Sequence, residues 1–233
     1  MGMIDDLTAL VARVVEDNSQ ALKDTAETIA DTAQNGGLLY AAGAGHSLAA
    51  VMETFFRAGG LAFVRPLWDP SILPLAGARA STAAERETGL GIDVARRAGI
   101  DPGDTVLIFS NSGVNPYPVE IALHARSIGA TVVSMTSVNS SMTAPKRAEN
   151  RLYEVSDVVL DTAVPSGDVT WPPHAPVTSP ASTIITATLW AAILRQIDTI
   201  APETPRWMSA NVKGGDEVNA ALSERFALRI PEL

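Results

Sequence analysis

Residues 38–52 read LLYAAGAGHSLAAVM, and this stretch constrains the chain more than any other. Leu38, Leu39, Tyr40, Ala41 and Ala42 form a short apolar run of the kind that makes a buried strand. Gly43-Ala44-Gly45-His46-Ser47 then turns tightly. Leu48, Val51, Met52, Phe55 and Phe56 follow at helical spacing. A strand, a glycine turn and a helix start in direct succession are the geometry of an anion site: the backbone can approach closely, and the helix dipole favours negative charge. Gly45 and Ser47 are therefore candidate anion contacts. A plain strand-to-helix turn with Ser47 as its N-cap fits this segment equally well.

A second unit repeats the logic. Thr105–Phe109 (TVLIF) is another apolar strand, and it runs into Ser110-Asn111-Ser112-Gly113-Val114-Asn115. Pro116 then opens a helix, PYPVEIALHARSIG, as proline does in a first turn. Two such turns on neighbouring strands can converge on one anion, so the pair is more specific than either member.

The rest of the chain alternates helix and strand. The apolar spacing of Ile4, Leu7, Val11, Val14, Leu22 and Ile29 predicts one long helix over 4–34, ended by Asn35-Gly36-Gly37. Leu61–Leu67 reads as a strand, Trp68–Ser81 as irregular, and Thr82–Gly99 as a helix with Glu85 and Glu87 near its positive end. Ala130–Met135 and Val158–Val164 read as strands, with a short helix at Pro145–Arg151 between them. Pro165–Pro180 is a long proline-rich loop, Ser182–Ile200 an apolar helix and Asp216–Arg229 a last helix. This alternation predicts a doubly wound α/β fold with a parallel sheet, whose ligands bind at the carboxyl ends of the strands. Both glycine-serine turns lie at such ends. The length of 233 residues suits one domain over 1–233, with a core at about 36–200.

The formal charge of −9 disfavours nucleic acid and anionic membranes as partners. An anionic ligand would then be held by local N–H groups and dipoles rather than by the overall field. With no cysteine and three histidines, the chain offers no thiolate or structural zinc site, and no metal or cofactor is expected. There is no apolar run of membrane length, and the first ten residues carry acids where a signal peptide carries bases. The expected location is the cytoplasm.

GAGHS after the first strand, SNSG after a later one, and the Ser/Thr-rich start of the late apolar helix (Thr178, Ser179, Ser182, Thr183) together resemble the SIS, or sugar isomerase, domain. The likeness spans about residues 36–200. FFRAGGL and the tract around AERETG resemble the family's phosphosugar-binding branch. The resemblance implies a five-stranded parallel sheet in flavodoxin-like order, a homodimer or homotetramer, and a sugar phosphate in the crevice. Carried over, Ser47, Ser110 and Ser112 bind phosphate, and the backbone at Asn111, Gly113 and Asn115 completes the cradle. Members usually have Thr where this chain has Asn115. Ser179 and Ser182 fall at the family's second Ser/Thr cluster.

Sugar-phosphate chemistry at C1–C2 starts by removing a proton beside a carbonyl, a task for a carboxylate tuned toward neutral pKa. Glu85 is the first candidate base. It falls in the tract where the related N-acetylmuramic acid 6-phosphate etherases keep a catalytic acid; a solvated acid at a helix start fits the residue pattern too. Glu53, six residues after Ser47, is the alternative, or it pairs with Arg57. His46 lies in the phosphate turn. His174, in the WPPHAP loop, resembles by location a histidine that closes over the site in some family isomerases. Proton abstraction at C2 leads to aldose–ketose isomerisation or to elimination, as in a dehydratase or etherase. A non-catalytic phosphosugar sensor is the competing class, although no DNA-binding stretch is attached. A dinucleotide fold is disfavoured: GAGHSL lacks the third glycine, and no acid ends the second strand.

Overall fold

A computed structural model describes residues 3–233. The amino-terminal region is two helices, α1 (Met3–Asp17) and α2 (Ser19–Gln34), where the apolar spacing predicts one. Asn18 divides them. Its amide Nδ2 donates to the Asp161 carbonyl at 2.8 Å, and its Oδ1 accepts the Asp161 N–H at 2.8 Å. Most of the apolar stripe is taken up within the chain: Val14, Leu22 and Ile29 are buried in the core and Leu7 and Val11 pack against it, while Ile4 stays exposed.

Next come β1 (Leu39–Gly43), α3 (Leu48–Thr54) and β2 (Val64–Leu67). Helix α3 stops before Phe55. Phe56 takes a left-handed φ of 43° and packs its ring 4.7 Å from Trp207. The expected helix over 82–99 is also two, α4 (Ala78–Ala84) and α5 (Leu90–Ala98), separated by the Glu85–Gly89 turn. Then follow β3 (Thr105–Phe109), α6 (Pro116–Ser127), β4 (Thr131–Thr136), α7 (Val138–Thr143) and β5 (Val158–Asp161). The short helix expected at Pro145–Arg151 lies earlier, as α7. The Ser137 hydroxyl accepts the Ser140 N–H at 3.3 Å and starts it there. Finally, α8 (Ser182–Ile200) has the predicted bounds, and α9 (Gly215–Phe226) begins one residue early.

The five strands form one parallel sheet in the order β2-β1-β3-β4-β5. Every residue of β1 and β3 is buried, as expected for strands covered on both faces. Helices α1, α2 and α3 pack with α8, and α5 packs with α6. From β1 the chain winds to β2, then crosses back to β3 on the other side. Right-handed crossovers therefore put the two helical layers on opposite faces and open a crevice above β1 and β3. Among the described residues no helix is long and apolar enough to cross a membrane.

One close approach fixes the α5–α6 layer. A Cβ on Gly91 would sit 2.3 Å from the Tyr117 carbonyl oxygen and 2.9 Å from the Glu120 Cβ. Only a residue without a side chain lets the helices meet at that depth.

Candidate functional site

A cleft of about 540 Å³ opens at the carboxyl ends of β1 and β3. Its walls come from the turns after successive strands. His46 and Ser47 follow β1, Ser110, Asn111 and Ser112 follow β3, and Asp168 follows β5. Ser182 adds the start of α8, and Glu85 adds the turn between α4 and α5. The two glycine-serine turns thus share one cavity, as their sequences predict.

Ser47 stands at the N-cap position of α3 but does not cap it. It has helical backbone angles, closes a single 3-10 turn over Gly45–Ser47, and makes no side-chain cap bond. Its hydroxyl is left to the cleft. In the second turn, the Gly113 N–H is given to the Ser110 hydroxyl at 3.2 Å. Gly113 itself is buried outside the cleft wall, with φ 59°. A Cβ there would meet the Thr136 hydroxyl oxygen at 2.7 Å. It shapes the turn, and its N–H already has a partner within the chain, which departs from the cradle role carried over for it. The Asn111 side chain also looks inward, accepting from the Thr162 hydroxyl at 2.8 Å.

Glu85 sits at the carboxyl-terminal end of α4, not at the positive end of a helix as expected, because Gly89 breaks the helix. It is partly buried on the cleft wall. Its Oε2 lies 3.8 Å from the position a Cβ on Gly45 would take. Gly45 and Glu85 also line a smaller recess together. Burial pushes the Glu85 carboxyl above the usual carboxylate range. The nearby Arg86 and Arg147 charges, and a hydrogen bond with the Asn115 side chain, hold it down in part. The turn carrying it is held by α6: Tyr117 N donates to the Glu85 carbonyl at 3.3 Å, and the buried Glu120 carboxylate accepts from Gly89 N at 2.8 Å and Gly91 N at 3.1 Å.

Other candidates fall elsewhere. Glu53 pairs with Arg57 one turn along, off the face through which Leu48, Val51 and Thr54 are buried, and does not line the cleft. His174 is exposed in the 165–180 loop and is not on the cleft wall of its own chain. Ser179 is also off the wall, and its carbonyl accepts the Thr170 hydroxyl at 2.9 Å. Two residues at the cleft lie outside the sequence expectations. Asp168 accepts from Ala181 N at 3.0 Å and Ser182 N at 2.8 Å, and its Oδ2 takes the Ser182 hydroxyl at 2.5 Å, so it caps α8 from inside the cleft. Arg147 donates to Asn115 Oδ1 at 3.2 Å. The acid in PSGD, ahead of the Ser/Thr-rich helix start, was the available sign of the first. Arg147 lies in the segment after α7, where the sequence predicts a helix.

The profile of the SIS domain matches residues 3–137. A UPF0309 protein of Streptomyces coelicolor is 37% identical, covering 97% of this chain and 94% of its own. A UPF0309 protein of Geobacillus kaustophilus is 33% identical, covering 99% and 94%. Among solved structures, a phosphoheptose isomerase from Neisseria gonorrhoeae superposes with a TM-score of 0.59 at 18% identity, over 84% of this chain and 95% of that one. A phosphoheptose isomerase from Francisella tularensis gives 0.50 at 16% identity, over 85% and 100%. At such identities the likeness establishes the fold.

Proposed function

This chain belongs to the SIS domain family, and from that premise we propose that it binds a sugar 6-phosphate in the cleft and removes the proton at C2 with Glu85. The observation that carries this reading is the shared cavity. A carboxylate whose affinity for protons is raised by burial stands on the same wall system as the Ser47, Ser110 and Ser112 hydroxyls. The hydroxyls, short and on rigid strand ends, hold the phosphate. With the open-chain aldose so anchored, the Glu85 carboxylate takes the C2 proton, and the C–H electrons pass into the carbonyl to give an enediol. Returning the proton at C1 completes isomerisation. Expelling the C3 substituent completes elimination. His46, exposed at the cleft, is the candidate donor to the departing or carbonyl oxygen.

The test is incubation with hexose and N-acetylhexosamine 6-phosphates in deuterated water, followed by product NMR. Isomerisation puts deuterium at C1 or C2, and elimination releases the C3 group and leaves an unsaturated sugar. Binding without turnover across the panel makes the protein a sensor and ends the catalytic reading. Binding has its own check. Ser47→Ala should weaken sugar-phosphate affinity by roughly 1–3 kcal/mol, the cost of a hydrogen bond to a charged group. An unchanged dissociation constant by calorimetry removes Ser47 from the phosphate site.

We also take the working form to be a homodimer or homotetramer. Exposed Val177 and His174 on the 165–180 loop support this by leaving that loop free for a neighbouring subunit. Light scattering at micromolar concentration should give a multiple of the 24.4 kDa chain mass, and a monomer would end that part of the proposal.

A further inference from the structure

Asn115 occupies the N-cap position of α6, yet its side chain makes no cap bond. The reason lies in the next three residues. An N-cap side chain accepts from the N–H of the second or third helical residue. The third is Pro118, which has no N–H, and the second is Tyr117, whose N–H is given to the Glu85 carbonyl. The local partners of the Asn115 side chain are therefore gone. The side chain is buried, 8% exposed, and its Oδ1 accepts from Arg147 Nη1 at 3.2 Å. An Arg guanidinium only donates, so it fixes the amide with its oxygen toward Arg147 and its NH₂ free to donate elsewhere. The Glu85 carboxylate lines the same cleft as this side chain, and the amide favours its ionised form. The start of α6 thus holds Glu85 by its main chain, through Tyr117 N, and brings the Asn115 amide to the same cleft; Glu120 also holds the N–H of Gly89, at the end of the same turn, and of Gly91, the second residue of α5.

We propose that Asn115 is a positioning residue for Glu85 and not a phosphate ligand: braced by Arg147, its amide fixes the carboxylate at the cleft wall. This rests on the reading of Glu85 as the base. The charged and titratable groups near Glu85 are Arg86 on its own turn, Arg147 beyond Asn115, His46 on the turn after β1, and Asp168 on the wall of the same cleft.

The test uses the full chain with its glutamate carboxyl carbons labelled, and follows the Glu85 titration by NMR. A donor and a cation both favour the ionised form, so Asn115→Leu and Arg147→Met should each raise the Glu85 midpoint by at least about 0.5. Inorganic phosphate serves as the ligand probe. Its dissociation constant should stay within about twofold in Asn115→Leu while Ser47→Ala weakens it, since only the latter loses a hydrogen bond to the anion. An unmoved midpoint in folded Asn115→Leu overturns the proposal, as does a loss of phosphate affinity matching that of Ser47→Ala. If Asn115→Leu does not fold, Arg147→Met on the exposed loop decides, and an unmoved midpoint there overturns it. If the parent binds neither phosphate nor any sugar phosphate, the proposed function fails, while the midpoints still decide the role of Asn115.

Discussion

Glu85→Gln should lose about 10²–10⁴-fold in kcat, the usual worth of a general base, while still binding the sugar phosphate. The amide keeps the size of the side chain and can still bond to Asn115, but it cannot take a proton. The parent's pH profile should agree. Burial raises the Glu85 pKa and the base must be ionised, so kcat/KM should climb with pH through a midpoint above the ordinary glutamate value. The stability sign runs the other way. A carboxyl whose folded pKa is raised binds its proton more tightly in the folded state, so above that pKa its ionised form costs stability. Gln stands in for the neutral acid, and Glu85→Gln should be at least as stable as the parent at neutral pH. Loss of activity with unchanged or raised Tm separates chemistry from unfolding. Full activity in Glu85→Gln together with an inactive Glu53→Gln would move the base to α3.

Gly91→Ala should destabilise the protein even though alanine is the better helix former. Within α5 the exchange gains about 1 kcal/mol of propensity. Against that, the new methyl would stand 2.3 Å from the Tyr117 carbonyl oxygen, a backbone atom of α6 that cannot rotate away. Overpacking of this kind typically costs 1–3 kcal/mol, and a main-chain clash belongs at or beyond the upper end. The net loss should be roughly 2 kcal/mol, a fall in Tm of about 4–8 °C for a chain this long. Catalysis should drop as well, because the helices that are forced apart are those through which Tyr117 and Glu120 hold the Glu85–Gly89 turn. A Tm equal to or above the parent's would show that α5 can shift at no cost.

What was legible in the chain was what is local. The apolar run before GAGHS and the Pro116 start signal each lie within a dozen residues of the turn they define, and both turns reached the cleft as read. The α1–α2 break was not legible, because its cause is Asp161, 143 residues away in sequence from Asn18. Glu85 lines the cleft, but from the end of a helix and not from its start. Its tract was read as one helix because the bonds that support the Gly89 break come from Glu120 on α6. The role of Asp168 is not legible locally, because its partners Ala181 and Ser182 meet it only once α8 is in place. The start of α7 does have a local sign, Ser137, whose hydroxyl accepts the Ser140 N–H.

The sheet also bears on how copies of the chain can meet. A parallel sheet with open edges invites another chain to add a strand, the first step toward aggregation. Here β2, at one edge, carries Pro66, which has no N–H to offer, and its neighbour Arg65 is turned to Ala98 and Glu232. At the other edge β5 is four residues long. Its last residue has both main-chain groups taken by one Asn18 amide, which imitates the pairing of a sixth strand and then stops. With both rims blunted, strand exchange is disfavoured as a route to assembly, and self-association is left to helix faces and loops, where it can be specific and closed.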